Sequence, residues 1–267
     1  MVHSFLLIGQ SNMAGRGFLS EVDMICDTRI KMLRNGIWMP MTEPIHFDYP
    51  WAGVGMAPSF ATEWLKDNPD EEIGFIPCAM GASCLDQWEV GEPLFDYAVT
   101  QAKFAMKNSS LDGILWHQGE SDCVQELIPS YESKLQKIID SFRNELNIKD
   151  IPFILGGLPP FLEHSSYLET SKYHKDINQI LQTLVKKQEC CYYVSADGLE
   201  SNPDLLHLSA RAQRKFGLRY YEAYRIKANV NEPLKNEPDF LPKNKPLQGN
   251  DRIAYIGKNL FNMELQL

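Results

Sequence analysis

The chain has 267 residues, of which 44% are hydrophobic and 23% charged, with a formal net charge of −9. That balance allows a sizeable core without disulfide or metal staples, and it excludes a disordered or fibrous chain. An acidic chain with no Lys/Arg run argues against nucleic acid or an anionic membrane as the main partner.

The N-terminus carries no basic stretch, and Phe5–Ile8 is too short for a signal-peptide core. No run reaches the roughly 20 apolar residues of a membrane span. As written, the chain reads as cytoplasmic.

Phe5–Gly9 is a compact apolar run that ends in glycine, the pattern of a strand buried on both faces. Arg29–Leu33, the Asn35-Gly36 pair and Ile37–Met39 predict a small hairpin with a type I′ turn. Ala57–Lys66 fits a helix, and Glu72–Cys78 repeats the buried-strand pattern. Pro93–Lys107 fits a helix with proline at its start. Ile114–His117 is the third strand. Leu135, Ile138, Ile139, Phe142 and Leu146 then share one helical stripe. Phe153–Gly157 is the fourth strand, followed by a stripe of Ile177, Ile180, Leu181, Leu184 and Val185. Cys191–Ser195 is the fifth strand, and Ala210–Lys227 the last predicted helix.

Strands alternating with helices predict an α/β fold, a doubly wound three-layer α/β/α arrangement around a five-stranded parallel sheet. Residues 1–228 form that domain. Residues 229–267 read as an extended C-terminal tail, rich in Pro, Asn and Lys to about residue 250. Within the tail, Ile253–Ile256 suits a strand added to a sheet edge or to a partner chain. The six cysteines, Cys26, Cys78, Cys84, Cys123, Cys190 and Cys191, form no CxxC pair and read as free thiols, mostly buried.

In an open parallel sheet, ligands bind beyond the carboxyl ends of the strands. There this sequence places Gln10-Ser11-Asn12, then Met80-Gly81-Ala82-Ser83, then Gln118-Gly119-Glu120-Ser121-Asp122. After the fifth strand come Asp204 and His207. This set suits acyl transfer. A serine hydroxyl needs a base, an imidazole can serve near neutral pH, and a carboxylate can orient the imidazole. Spaced three apart, Asp204 and His207 can share one face of a turn entering the last helix. The backbone N–H of Ser11, the N–H of Gly81 and the side-chain amide of Gln118 are candidate oxyanion donors. Each residue also has a structural reading: Ser11 and Asp204 as helix caps, His207 as a hydrogen-bonded structural histidine, and Gln118 and Glu120 as a polar loop.

Other classes fit less well. Gly15-Arg16-Gly17 lacks the third glycine of a dinucleotide fingerprint, and no Gly-Lys-Ser/Thr follows Gly9. His3, His46, His164 and His174 show no metal-ligand spacing. A non-catalytic carbohydrate-binding protein on the same fold is the remaining rival. Trp51, Trp88 and Trp116 could stack a sugar, but core packing is the commoner fate of tryptophan.

Phe5–Gly17, with its Gly-Gln-Ser-Asn-Met run, resembles the first block of the sialate O-acetylesterase-like esterases, also called carbohydrate esterase family 6, of the SGNH-hydrolase superfamily. Gly53–Ala61, Pro77–Ser83, Leu115–Asp122 and Asp204–Ser209 resemble later blocks in order, so the likeness spans about residues 4–226. It implies a flavodoxin-like SGNH-hydrolase fold. The activity it implies is that of a serine esterase removing acetyl groups from carbohydrates, with acetyl xylan, O-acetylated sialic acid and other acetylated sugars all open. It also implies Ser11 as nucleophile, His207 as base, Asp204 as its orienter, and no metal or cofactor. Gly81 and Gln118 would complete the oxyanion hole, and Glu120 is an auxiliary that in some members replaces or joins the aspartate. One departure stands out: the family has two glycines in its second block, where this chain has Gly81 followed by Ala82.

Overall fold

The computed structural model describes residues 1–165 and 172–263. All five apolar runs are strands, now labelled β1 (Val2–Gly9), β4 (Glu72–Pro77), β5 (Ser109–His117), β6 (Phe153–Gly156) and β7 (Cys191–Val194). They pair in parallel, in the order β4-β1-β5-β6-β7. The hairpin is present as β2 (Ile30–Arg34) and β3 (Ile37–Pro40), with positive φ at both Asn35 and Gly36, as a type I′ turn requires. It does not stand apart. β2 pairs in parallel with β4, so the sheet has seven strands rather than five. A turn signal announces a hairpin, but which edge receives it depends on contacts distant in sequence.

Among the described residues the α-helices are α1 (Ser11–Ala14), α2 (Ala57–Asp67), α3 (Pro93–Ala105), α4 (Ile128–Leu146), α5 (His174–Leu184), α6 (Ala210–Ile226) and α7 (Gly249–Phe261). Because side chains alternate along a strand, β1 feeds both layers. Leu6 and Ile8 pack with Phe95, Ile138 and Leu181 from α3, α4 and α5. Phe5 and Leu7 pack with Phe60 of α2 and Phe216 and Tyr220 of α6. The result is a three-layer α/β/α fold. After β1 the chain crosses to the edge hairpin β2-β3 and returns through β4, and it then runs outward on the other side from β5. The loops leaving β1 and β5 therefore diverge and leave a crevice, the usual ligand position in such sheets.

The tail differs from expectation. Residues 253–256 lie inside α7, not in a strand. Ile256, Gly257 and Leu260 form its less exposed side, a helical spacing that a four-residue apolar run conceals. The preceding segment is irregular but anchored. Val230 exchanges backbone hydrogen bonds with Tyr193 and Ser195. Glu237 receives Arg219 Nε at 2.5 Å and Nη2 at 2.9 Å, and the Arg219 side chain is 1% exposed. All six cysteines are free, with Cys78, Cys123 and Cys191 buried and the other three half-buried, so burial is less general than the sequence suggests. Among the described residues no helix is long and apolar enough to cross a membrane.

Candidate active site

β1 ends at Gly9, whose φ is +129°. A side chain there would meet the carbonyl oxygen of His117 at 2.0 Å, so only glycine lets the end of β1 lie this close to β5. The chain then turns into α1 with Ser11 as its first residue. As the first helical residue, Ser11 has a backbone N–H with no intrahelical acceptor.

Ser11 Oγ lies 3.0 Å from His207 Nε2. His207 Nδ1 lies 2.7 Å from Asp204 Oδ2. An ionised carboxylate can only accept, so Nδ1 carries the hydrogen and the Nε2 lone pair faces the serine hydroxyl. Asp204 Oδ1 also accepts the backbone N–H of His207 at 2.9 Å and of Leu206 at 3.0 Å. Partial burial pushes the Asp204 carboxyl upward, but these three donors prevail and hold it at about 2. The 204–207 segment is not the helical turn the spacing suggested. It is a loop closed on itself by Asn202 N–H to His207 O at 2.7 Å, and α6 begins only after the Ser209 cap.

The candidate oxyanion donors fare differently. Gln118 is fully buried, and its Nε2 is taken by Asp122, by Gln10 Oε1 at 3.2 Å and by Ser83 O at 3.2 Å. An amide with two hydrogens and three internal acceptors braces the loop after β5, and it is not offered to a substrate. Gly81 N–H donates to Asp48 Oδ2 at 2.9 Å. Asp48 is itself paired with Arg16 Nη2 at 2.5 Å, both side chains being almost wholly buried. Of the three donors, the Ser11 N–H alone keeps an open first-turn position. Glu120 does not touch His207. Its Oε1 accepts from Asn12 Nδ2 at 2.6 Å and pairs with His117 Nε2 at 3.1 Å. Burial alone would raise Glu120, but His117 and Asn12 hold it below the usual carboxylate range.

Sequence reasoning passed over Gln10, Asn12, Arg16 and Asp48. Gln10 and Asn12 signal themselves only as polar residues after a buried strand, and Arg16 and Asp48 carry no such signal. Ala82 takes the left-handed conformation at φ +60°, in a turn closed by Ser83 N–H to Met80 O at 3.3 Å. That position suits the glycine found elsewhere, and alanine there costs about 1–2 kcal/mol.

The tryptophans separate cleanly. Trp88 and Trp116 are buried and pack edge to face at 5.6 Å. Trp51 is 65% exposed and stacks on Tyr49 with ring centroids 4.8 Å apart and planes 13° from parallel. Tyr49 borders Gly81, where it helps line a cavity of about 370 Å³ with Met80, Ala82 and Pro93. Met80 N–H in turn bonds Gly9 O at 3.0 Å, which ties this wall to the strand end that carries Ser11.

Comparison with known proteins agrees with this architecture. Residues 1–226 match the family described as carbohydrate esterase, sialic acid-specific acetylesterase. A probable carbohydrate esterase of Arabidopsis thaliana is 29% identical over 242 residues, 82% of this chain and 89% of that protein. The crystal structure of that Arabidopsis protein aligns with a TM-score of 0.73 at 27% identity, covering 84% of this chain and 98% of the other. The crystal structure of NanS aligns at 0.67 with 17% identity, covering 85% and 97%. A carbohydrate acetylesterase from Xanthomonas citri aligns at 0.59 with 16% identity, covering 84% of this chain and 56% of its own.

Proposed function

Since this chain belongs to the sialic acid-specific acetylesterase family of carbohydrate esterases and is a carboxylic ester hydrolase, we propose that it cleaves carbohydrate O-acetyl esters through an acetyl-serine at Ser11. The observation that carries this reading is the unbroken line from Ser11 Oγ through the His207 ring to Asp204.

Ser11 Oγ attacks the acetyl carbonyl as His207 Nε2 takes its proton. Asp204, ionised across the working range, balances the imidazolium and keeps the ring in one tautomer. The Ser11 N–H donates to the developing oxyanion, and Gly81 N–H contributes only as a donor shared with Asp48. The protonated His207 then returns its proton to the departing sugar oxygen. Water repeats the sequence on the acetyl-enzyme, releasing acetate and restoring Ser11. A fluorophosphonate probe is expected to label one serine per chain, in the peptide containing Ser11. Labelling at another serine, or none, counts against the assignment.

The Tyr49–Trp51 stack supports an acetylated oligosaccharide as substrate. One face of Trp51 is covered by Tyr49, and the residue stays exposed beyond what a core role would leave. A flat apolar ring with a free face suits the C–H face of a pyranose. Trp51→Ala is expected to raise KM for an acetylated xylo-oligosaccharide about tenfold, on the scale of the ~1.5 kcal/mol lost when an apolar side chain is no longer buried. Hydrolysis of p-nitrophenyl acetate, which has no sugar, should be unchanged. Equal losses on both substrates would remove Trp51 from substrate binding.

A further inference from the structure

A nucleophile and its base work only at a fixed separation, and here they lie on two different elements. Ser11 opens α1, whereas His207 rides on the 202–208 loop. The loop's internal bonds, from Asn202 N–H to His207 O and from the 206 and 207 N–H groups to Asp204, close it on itself. They do not set its distance from Ser11.

Asn202 Nδ2 ties the start of the loop to Arg16 O at 2.9 Å, and the residue next to Ser11 ties the stretch around His207 itself. Asn12 is fully buried. Its Oδ1 accepts the Leu208 N–H at 2.9 Å, and its Nδ2 donates to Leu206 O at 3.2 Å. One side chain thus grips the backbone on both sides of His207. A planar amide suits this grip, because its oxygen accepts while its nitrogen donates, and an ionised carboxylate of the same size cannot donate. The backbone of Asn12 is itself held by Gln213 Nε2 on its carbonyl at 2.9 Å. The amide is oriented from behind by Glu120 Oε1 at 2.6 Å, which also meets the buried His117 at 3.1 Å.

We propose that Asn12 is a positioning residue that sets the separation of Ser11 and His207, and that Glu120 fixes which way its amide points. Glu120 thus acts two contacts away from the imidazole, not as a substitute for Asp204. The proposal rests on Ser11 and His207 acting as nucleophile and base.

The test is a swap of the two groups, read as kcat and KM on p-nitrophenyl acetate. Site concentration comes from the fluorophosphonate labelling endpoint. Asn12→Asp turns a donor into an acceptor facing both Glu120 and Leu206 O. It is expected to lower kcat about a hundredfold, the scale of an ångström of misplacement at a reacting centre, with KM within about threefold. Glu120→Gln still presents an acceptor oxygen and should cost less than about tenfold in kcat. In Asn12→Asp/Glu120→Gln the amide sits on the other partner and can donate to the carboxylate. This double variant should regain at least about tenfold over Asn12→Asp alone, a coupling that independent sites do not show. A role confined to stability would lower the melting temperature yet leave kcat per labelled site unchanged.

If Asn12→Asp fails to fold, Asn12→Ala removes the grip without adding charge and carries the same kcat expectation. Turnover within about threefold of wild type in either single variant at position 12, or a double variant no better than Asn12→Asp, overturns the proposal. Activity surviving in Ser11→Ala would instead overturn the nucleophile assignment, so the two failures are separable.

Discussion

Ser11→Ala is expected to lower kcat on p-nitrophenyl acetate by roughly 10⁴–10⁶, with the protein still folded. The magnitude follows from losing a chemical step, not a contact. Without Oγ no acetyl-enzyme forms, and what remains is the residual help of binding and the oxyanion donor. Stability should change by less than about 1 kcal/mol, because a single oxygen is removed and it bonds His207 Nε2. The variant should also stop taking up the fluorophosphonate. Near-normal turnover by the purified variant, free of wild-type contamination, would refute the nucleophile.

Arg214→Met is expected to destabilise the fold by about 3–5 kcal/mol, which for a chain of this size lowers Tm by roughly 6–20 °C. Arg214 and Glu43 are ion-paired with side chains only 1% and 2% exposed. Nη1 donates to Glu43 Oε1 at 2.8 Å and to Gly55 O at 3.2 Å, and Nη2 donates to Glu43 Oε2. Removing the cation leaves a buried carboxylate with one long hydrogen bond, from the Gly55 N–H at 3.3 Å. The penalty comes from stranding the charge, not from the worth of the pair. The double variant Arg214→Met/Glu43→Met should therefore recover most of the loss. A single variant within about 1 kcal/mol of wild type by denaturant titration would show that water reaches the pair.

The strands were legible because each is a short apolar run ended by glycine or a polar cluster, as at Gly9 and Gly156. That Ser11, Asp204 and His207 would meet was legible because strand ends announce where a doubly wound sheet collects its polar side chains. The assignment of the neighbouring donors was not. Whether Gly81 N–H is free depends on Asp48, 33 residues earlier, and what Glu120 holds depends on Asn12, 108 residues away. Hydrogen-bond partners at such separations leave no periodic trace, so Gln118 read as a donor to substrate when it is a brace. The strand count erred for a similar reason, since the Asn35-Gly36 turn encodes a hairpin and not the neighbour that accepts it. Ile253–Ile256 shows the opposite limit: four apolar residues are too few to separate a period of two from one of 3.6.

Ser11 and His207 are 196 positions apart, and the loop that carries the imidazole is reached only after the last strand. Under the proposed mechanism, a nascent chain therefore gains its base 196 positions after its nucleophile, once all seven strands have been synthesised. A chain that stops short of His207 would lack that base, so the onset of hydrolysis would follow the completion of the sheet.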